Sequence, residues 1–392
     1  MKYNVFQDNK LLDKLNKKEW KLYNLLDIFE DDTKNATKIK KENYLKYGEY
    51  PIIDQGQSVI AGYSNNQNGI YDNYPIIIFG DHTRIIKYVE YKIFIGADGV
   101  KLLRSIVSRE QLNVKYVYYF LRTIELPRNG YSRHFKYLKE VIIPLPKISI
   151  QNKIVEALDK AEELINKKKI QIKNLDKLVK SKFIEMFDDP YINKNKWPIK
   201  SYEDISYCIT DGEHSTPKRC EKGVYLLSAR NILNHSLQLK DVDFIDEEEY
   251  KRISKRIIPK KNDILISCSG SIGRVCRIPK NIKLQMVRSV AIIRFKENIN
   301  AVFMEWLIDS NYTQQQILRS VNQSTQANLF QGKIRKLKAI VPPIELQNKF
   351  ADFVKETDKL KFEMEKSLKE LENNFNSLMQ RAFNGELFNE KQ

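Results

Sequence analysis

Leu138-Lys-Glu-Val-Ile-Ile-Pro-Leu-Pro-Lys-Ile-Ser-Ile-Gln-Asn-Lys153 and Leu337-Lys-Ala-Ile-Val-Pro-Pro-Ile-Glu-Leu-Gln-Asn-Lys349 are two copies of one stretch. Gln151 and Gln347 set their offset at 196 positions. Each copy begins as an apolar, strand-like run, is stopped by prolines, and passes into a long helical pattern. A repeat of this size means a tandem architecture: variable block, helix, variable block, helix.

The helices are the most legible elements. Ile154, Leu158, Ala161, Ile165, Ile172, Leu175, Val179 and Met186 keep a 4-3 spacing, with Lys168 and Lys182 in the two slots that are not apolar. Adding the offset gives Phe350, Val354, Thr357, Lys361, Met364, Leu368, Leu371, Phe375, Leu378 and Ala382. A period of about 3.5 residues sustained over five heptads predicts a coiled coil. Pro190 and Gly385 end the two runs. The chain divides as 1–147, 148–190, 191–343 and 344–392, with helices at 148–190 and 344–392. The two larger blocks are α+β. Strand-like runs at 74–80, 92–95, 263–267 and 287–295 are rich in Ile, Val, Tyr and Phe. Each block opens near a tryptophan (Trp20, Trp197) and carries a late helix-like segment, Val114–Leu121 or Val302–Ile308.

The 392 residues carry 67 Lys+Arg against 50 Asp+Glu, a net +17. A charge of this size points to a polyanion, because each neutralised phosphate releases condensed counterions. AT-biased coding also yields chains rich in Lys, Asn and Ile, so composition suggests nucleic acid without deciding it. Hydrophobic content of 42% excludes a wholly disordered chain. No apolar run approaches the ~20 residues of a membrane helix. The stretch Met1-Lys-Tyr-Asn-Val-Phe-Gln-Asp has no charged-then-apolar leader, so secretion is not expected. Cys208, Cys220, Cys268 and Cys276 form no CxxC pair, a reduced, cytoplasmic pattern.

A search for chemistry returns mostly negatives. There is no GxxxxGK[ST] loop for ATP and no strand-associated GxGxxG. Asp188-Asp-Pro-Tyr191 superficially resembles the adenine-methyltransferase tetrad but lacks its second proline and sits at a helix exit. The cysteines with His214 match no compact zinc module and read as buried or incidental thiols. No metal site and no catalytic residue is expected. What remains are polar loops suited to base edges and phosphates. In the first block these supply Gln57, Asn66, His82, Thr83, Arg84, Arg133 and His134. In the second they supply Thr216, Lys218, Arg219, Arg230, Asn231, Ser269, Ser271, Arg274, Gln326 and Asn328. Arg suits guanine, Asn and Gln suit adenine, and Ser and Thr meet bases or phosphates.

Gly80-Asp-His-Thr83, the Pro144-Leu-Pro146 lead-in to Gln151, its counterpart Pro342-Pro343 before Gln347, and the closing Arg381-Ala-Phe-Asn-Gly-Glu-Leu387 resemble the specificity (S) subunit of type I restriction-modification systems. The resemblance spans essentially the whole chain. One departure is that Ile150 and Leu346 stand where the family usually has Glu. The resemblance implies two target recognition domains, each reading one half of a split asymmetric DNA sequence. It also implies a pseudo-twofold antiparallel coiled coil whose seam holds Ile154, Leu158, Ile165, Ile172, Leu175, Val179, Phe350, Val354, Met364, Leu368, Leu371 and Phe375. That coil would set the spacer and dock two methyltransferase subunits, and restriction and motor subunits would join through the complex. S-adenosylmethionine, ATP and Mg²⁺ would belong to those partners. The specificity subunit of a type IIB-like or methylation-only complex would look the same in sequence. A coiled-coil scaffold binding RNA or protein, and a nuclease with a degenerate site, are the readings from other classes.

Overall fold

The computed structural model describes Leu15 and residues 19–96, 98–127, 133–280, 282–322 and 328–388. Two compact units form, one from residues 1–169 with 366–392 and the other from residues 170–365.

In the first unit the order is β1 (Lys21–Asn24), α1 (Leu25–Ile28), β2 (Phe29–Asp31), β3 (Tyr50–Ile53), β4 (Gly62–Ser64), β5 (Ile76–Gly80), β6 (Ile86–Val89), β7 (Phe94–Ile95) and β8 (Val100–Ser105). Then come α2 (Val114–Leu121), α3 (Phe135–Leu138), β9 (Ile142–Leu145) and the long α4 (Ile148–Phe187). Strand β5 reads Ile-Ile-Ile-Phe-Gly and is buried along its whole length. A continuous run of β-branched and aromatic residues is what a central strand covered on both faces requires. It anchors an antiparallel sheet in the order β2-β8-β5-β6. A smaller sheet, β4-β3-β7, contains a parallel β3–β7 pair, and β1 pairs with β9.

The second unit repeats this plan. Its order is β10 (Ile199–Ser201), α5 (Tyr202–Ile205), β11 (Ser206–Asp211), β12 (Val224–Leu227), β13 (Ile232–Leu233), β14 (Ser236–Leu237), β15 (Asp243–Ile245) and α6 (Glu247–Ser254). Next are β16 (Ile264–Ser267), β17 (Val275–Arg277), β18 (Leu284–Met286), β19 (Val290–Phe295), α7 (Ala301–Asp309), α8 (Asn311–Asn322), α9 (Gln331–Lys336), β20 (Lys338–Ile340) and α10 (Ile344–Phe383). The sheet β11-β19-β16-β17 matches β2-β8-β5-β6 strand for strand. Likewise β15-β12-β18, with its parallel β12–β18 pair, matches β4-β3-β7, and β10–β20 matches β1–β9. The β13–β14 hairpin and α6 are additions within this plan.

Helices α4 and α10 are 40 residues each. In the first unit Ile154, Leu158 and Ile165 of α4 share a core with Phe375, Met379 and Phe383 of α10. In the second unit Val179, Phe183 and Phe187 share one with Phe350 and Val354. The start of α4 thus meets the end of α10 and its end meets the start of α10, an antiparallel pairing. Phe187 packs 4.7 Å from Phe303 and 5.5 Å from Phe350 between ring centroids. Ile172, Leu175, Met364, Leu368 and Leu371 are half-buried, so the seam is tightest toward the helix ends. Polar seam positions are accommodated. Lys361 pairs with Asp176 at 2.7 Å, and Thr357 Oγ1 donates to the Phe353 carbonyl at 2.9 Å.

The repeated glutamines explain why each long helix starts where it does. Gln151 is 1% exposed; its Oε1 accepts from Asn113 N at 2.9 Å and its Nε2 donates to Pro146 O at 2.8 Å. Gln347 is fully buried, and the same atoms meet Asn300 N and Pro342 O, both at 2.8 Å. Asn113 and Asn300 are in turn the N-caps of α2 and α7, each side chain accepting from the two following helical N–H groups. Asn113 and Asn300 also donate to Asn152 and Asn348, at 2.8 Å in both units. With this clamp in place, Ile150 and Leu346 can stand where a glutamate was expected. Asp188-Asp-Pro-Tyr191 forms the turn that ends α4, with Asp188 Oδ2 accepting from Lys194 N. Among the described residues, no helix is long and apolar enough to cross a membrane.

Candidate nucleic-acid interface

In the first unit four connecting segments are locked together at one end of the larger sheet. The turn after β5 is closed by Arg84, whose N donates to Gly80 O at 2.7 Å from a left-handed φ of 62°. Asp81 is the hub. Its N donates to Gly99 O at 2.7 Å, its carbonyl accepts from His134 N at 2.9 Å, and its carboxylate accepts from Phe135 N at 2.7 Å. Thr83 Oγ1 donates to Gln55 O at 2.7 Å, and the Gln55 amide bridges His82 N and Asp98 O. Gly99 holds a left-handed φ of 86° that strains any side chain, and a Cβ there would lie 2.7 Å from the Gln55 amide and 2.8 Å from the His82 ring, which would have to shift. The arrangement presents Thr83, Arg84 and Arg133 from a fixed backbone.

The second unit builds the same junction from different residues. Cys268 takes the place of Asp81: its N donates to Ser289 O at 2.8 Å and its carbonyl accepts from Leu329 N at 2.9 Å. Gly273, at φ 87°, takes the place of Arg84, donating to Ser267 O at 2.9 Å. Burial pushes the Cys268 thiol up to about 12, so it stays neutral. A cleft of about 320 Å³ opens here, lined in part by Asp211, His214, Ser269, Arg288, Asn328 and Gln331. His214 Nε2 lies 2.9 Å from Asp211.

The residues expected at DNA fall into three groups. His82, Thr83, Arg84, Arg133 and His134 are brought together in the first junction, and Ser269 and Asn328 in the second, with Ser271 and Arg274 on the same β16–β17 turn. His134 is 2% exposed; its Nδ1 lies 3.0 Å from Asp81 O, and its Nε2 has no hydrogen-bond partner among the described residues. A second group is exposed: Gln57, two residues from Gln55 on the loop that joins the first junction, and Asn66, Thr216, Lys218, Arg219 and Arg230 on other loops. Of these, Arg219 and Arg230 are both tied to Asp243 at 3.0 Å. Asn231 stands alone. It is 1% exposed, and its amide is fully used by Ser228, Gln238 and Asp241, so it shapes its loop from inside. Gln326 lies outside the described residues. Asp81, Gln55 and Arg288 are not among the residues expected at DNA, although Asp81 lies inside the Gly80-Asp-His-Thr83 stretch read from sequence. An Asp directly after Gly80 in a turn-like stretch was the available signal, since short polar side chains at turns bond backbone amides.

A family model described as the type I restriction modification DNA specificity domain matches the chain twice, over residues 17–174 and 194–373. The chain is 24% identical over 365 residues to the type I restriction enzyme EcoR124I/EcoR124II specificity subunit of Escherichia coli, covering 87% of each protein. It is 23% identical over 298 residues to the MjaVIII specificity subunit of Methanocaldococcus jannaschii, covering 69% of this chain and 70% of that one. The fold is similar to the crystal structure of a type I restriction-modification S subunit from M. genitalium. That similarity has a TM-score of 0.54 at 17% identity and covers 93% of this chain and 96% of that one. A chain from work on complex assembly and conformational transition of the type I restriction-modification system gives a TM-score of 0.55 at 14% identity, covering 94% and 98%. Each family match runs from one variable block into the long helix that follows it, which is the unit of the repeat seen in the sheets. The chain therefore belongs to the type I restriction-modification DNA specificity family, and carries two of its domains in tandem.

Proposed function

We propose that this chain is the DNA-reading subunit of a type I restriction-modification complex and has no catalytic role of its own. Each repeat reads one half of a split, asymmetric target. The long helices set the unread spacer and dock two methyltransferase subunits, through which restriction and motor subunits join. S-adenosylmethionine, ATP and Mg²⁺ act in those partners, where an adenine flipped out of each half-site is methylated.

The observation that carries this reading is the junction built twice on one backbone plan with unlike side chains. A shared scaffold with Asp81, Thr83 and Arg133 in one copy and Cys268, Ser269 and Asn328 in the other suits two readers of different sequences. The helices support the spacer role: 40 residues at 1.5 Å each give about 60 Å, more than one DNA turn of ~34–36 Å. The test is to co-express the chain with its cognate methyltransferase in a methylation-free host and map methyladenine genome-wide. A split motif with a constant gap, lost when this chain is omitted, is expected. Methylation that persists without it, or an unsplit motif, would overturn the reading.

A further inference from the structure

In both repeats one loop residue sits two positions before the central strand β8 or β19, on a backbone fastened from several sides. In the second unit it is Arg288. Its N donates to Glu213 O at 2.9 Å, and the following Ser289 accepts from Cys268 N at 2.8 Å and, through Oγ, from Ala229 N at 3.0 Å. The Arg288 side chain is exposed on the cleft beside Ser269, Asn328 and Gln331. Most arginines of this unit are spoken for. Arg219, Arg230, Arg252, Arg256, Arg277 and Arg294 each meet a carboxylate within about 3 Å. Arg288 has no carboxylate partner among the described residues.

In the first unit the equivalent residue is Asp98. Its carbonyl accepts from Gln55 Nε2 at 3.1 Å, and the following Gly99 accepts from Asp81 N at 2.7 Å. Its side chain is 97% exposed, 3.5 Å from Lys38. The same position therefore carries opposite charges in the two repeats. A phosphate contact would demand a cation or a neutral donor in both, since a carboxylate against the DNA backbone is repelled. A base edge makes no such demand, because guanine presents two acceptors and cytosine a donor in the major groove.

We propose that this is a base-reading position: Arg288 takes the O6 and N7 acceptors of a guanine in one half-site, and Asp98 takes the exocyclic amino group of a cytosine in the other. The assignment rests on the split-target reading above and names which residues do the reading. The fastened backbone fixes where the Arg288 side chain leaves the loop, and its guanidinium supplies the planar fork that a bidentate contact needs.

The test uses the full complex with its methyltransferase, comparing wild type with Arg288→Ala, Arg288→Lys and Asp98→Ala by methylation mapping and by DNA binding at several salt concentrations. Arg288→Ala should relax one guanine position in one half-site on the order of 10- to 100-fold, leaving the other half-site and the spacer intact. Arg288→Lys should relax the same position, because a point charge cannot reproduce the fork. Asp98→Ala should relax one position in the other half-site. Motifs that stay sharp while binding weakens equally on all DNA, with a salt slope lower by about 1, would make Arg288 a phosphate contact and overturn the proposal. Motif and binding both unchanged would overturn it too. A wild-type complex that methylates no split motif would instead remove the underlying reading. The exposed, unpaired Arg288 side chain leaves folding out of the comparison, which a matching thermal melt of Arg288→Ala would verify.

Discussion

Replacing Gln151 with Ala should loosen the start of α4 and the cap of α2 together. The wild-type amide serves three backbone groups: Asn113 N at 2.9 Å, Pro146 O at 2.8 Å and Gln111 O at 3.1 Å. Alanine is too short to reach any of them. Gln111 is exposed and water can replace its bond, but the groups of Asn113 and Pro146 lie in the partly or fully buried clamp. An unsatisfied buried group costs about 1–3 kcal/mol, so the two together cost about 2–6 kcal/mol. Against a typical domain stability of ~5–15 kcal/mol that is a large fraction. Gln347→Ala, with two bonds lost, should cost about the same. Urea unfolding gives the energies, and amide exchange over residues 113–121 or 300–309 shows where protection is lost. Gln347→Glu adds a control. The carboxylate can still accept from Asn300 N, but it turns an oxygen toward Pro342 O, so it should be no better than alanine. A Gln151→Ala protein within ~0.5 kcal/mol of wild type, or a Gln347→Glu protein as stable as wild type, would refute the clamp.

Three further outcomes are expected. Burial alone would lower the His235 pKa, but Asp309 and Glu305 beside it outweigh that and hold it at about 9. A folded pKa raised above the ordinary 6.5 contributes stability that is complete below pH 6.5 and lost as pH rises to about 9; a pH-invariant melting temperature across that window, or a His235 NMR titration near 6.5, would contradict it. Phe187→Ala empties the aromatic nest formed with Phe183, Phe303 and Phe350 and should cost about 3–5 kcal/mol in urea unfolding. Inserting or deleting residues within 155–180 should change the gap in the methylated motif and leave both half-sites alone, and an unchanged gap would argue against the helices as spacer.

The helices could be read from sequence because a heptad seam is a local pattern whose meaning does not depend on distant partners. Gln151 and Gln347 stood out as repeated letters, but their purpose did not. Their partners Asn113 and Asn300 lie some forty residues earlier, in segments where the two copies share no obvious spelling. The four runs read as strands fall on β5, β7, β16 and β19 with starts within three residues, because unbroken apolar runs leave few alternatives, whereas most of the remaining strands were not legible. The interface was harder. Exposed Arg, Asn and Thr look alike in any polar loop, so Asn231, consumed by its own turn, could not be told from Asn328 in the cleft. The equivalence of Asp81 with Cys268, and of Asp98 with Arg288, appears only when the strands are superposed by pairing. No residue type is shared at either position.

The crossed ownership of the long helices has a consequence for synthesis. Tyr116 and Phe120 pack against Phe383 at 5.3 and 5.4 Å, and Tyr119 against Phe375 at 6.3 Å, so the first unit's core is closed by a segment the ribosome makes long after α2. At ~5–20 residues per second, the N-terminal residues wait on the order of ten to fifty seconds for those rings. Throughout that interval the apolar face of α2 and the start of α4 are without their final covering, and contacts between the two ends of the chain are the slowest kind to form. A chain released before residues 375–383 would lack part of its first unit, although everything missing is distant in sequence from α2. Folding of the first unit is thereby tied to synthesis of the end of α10.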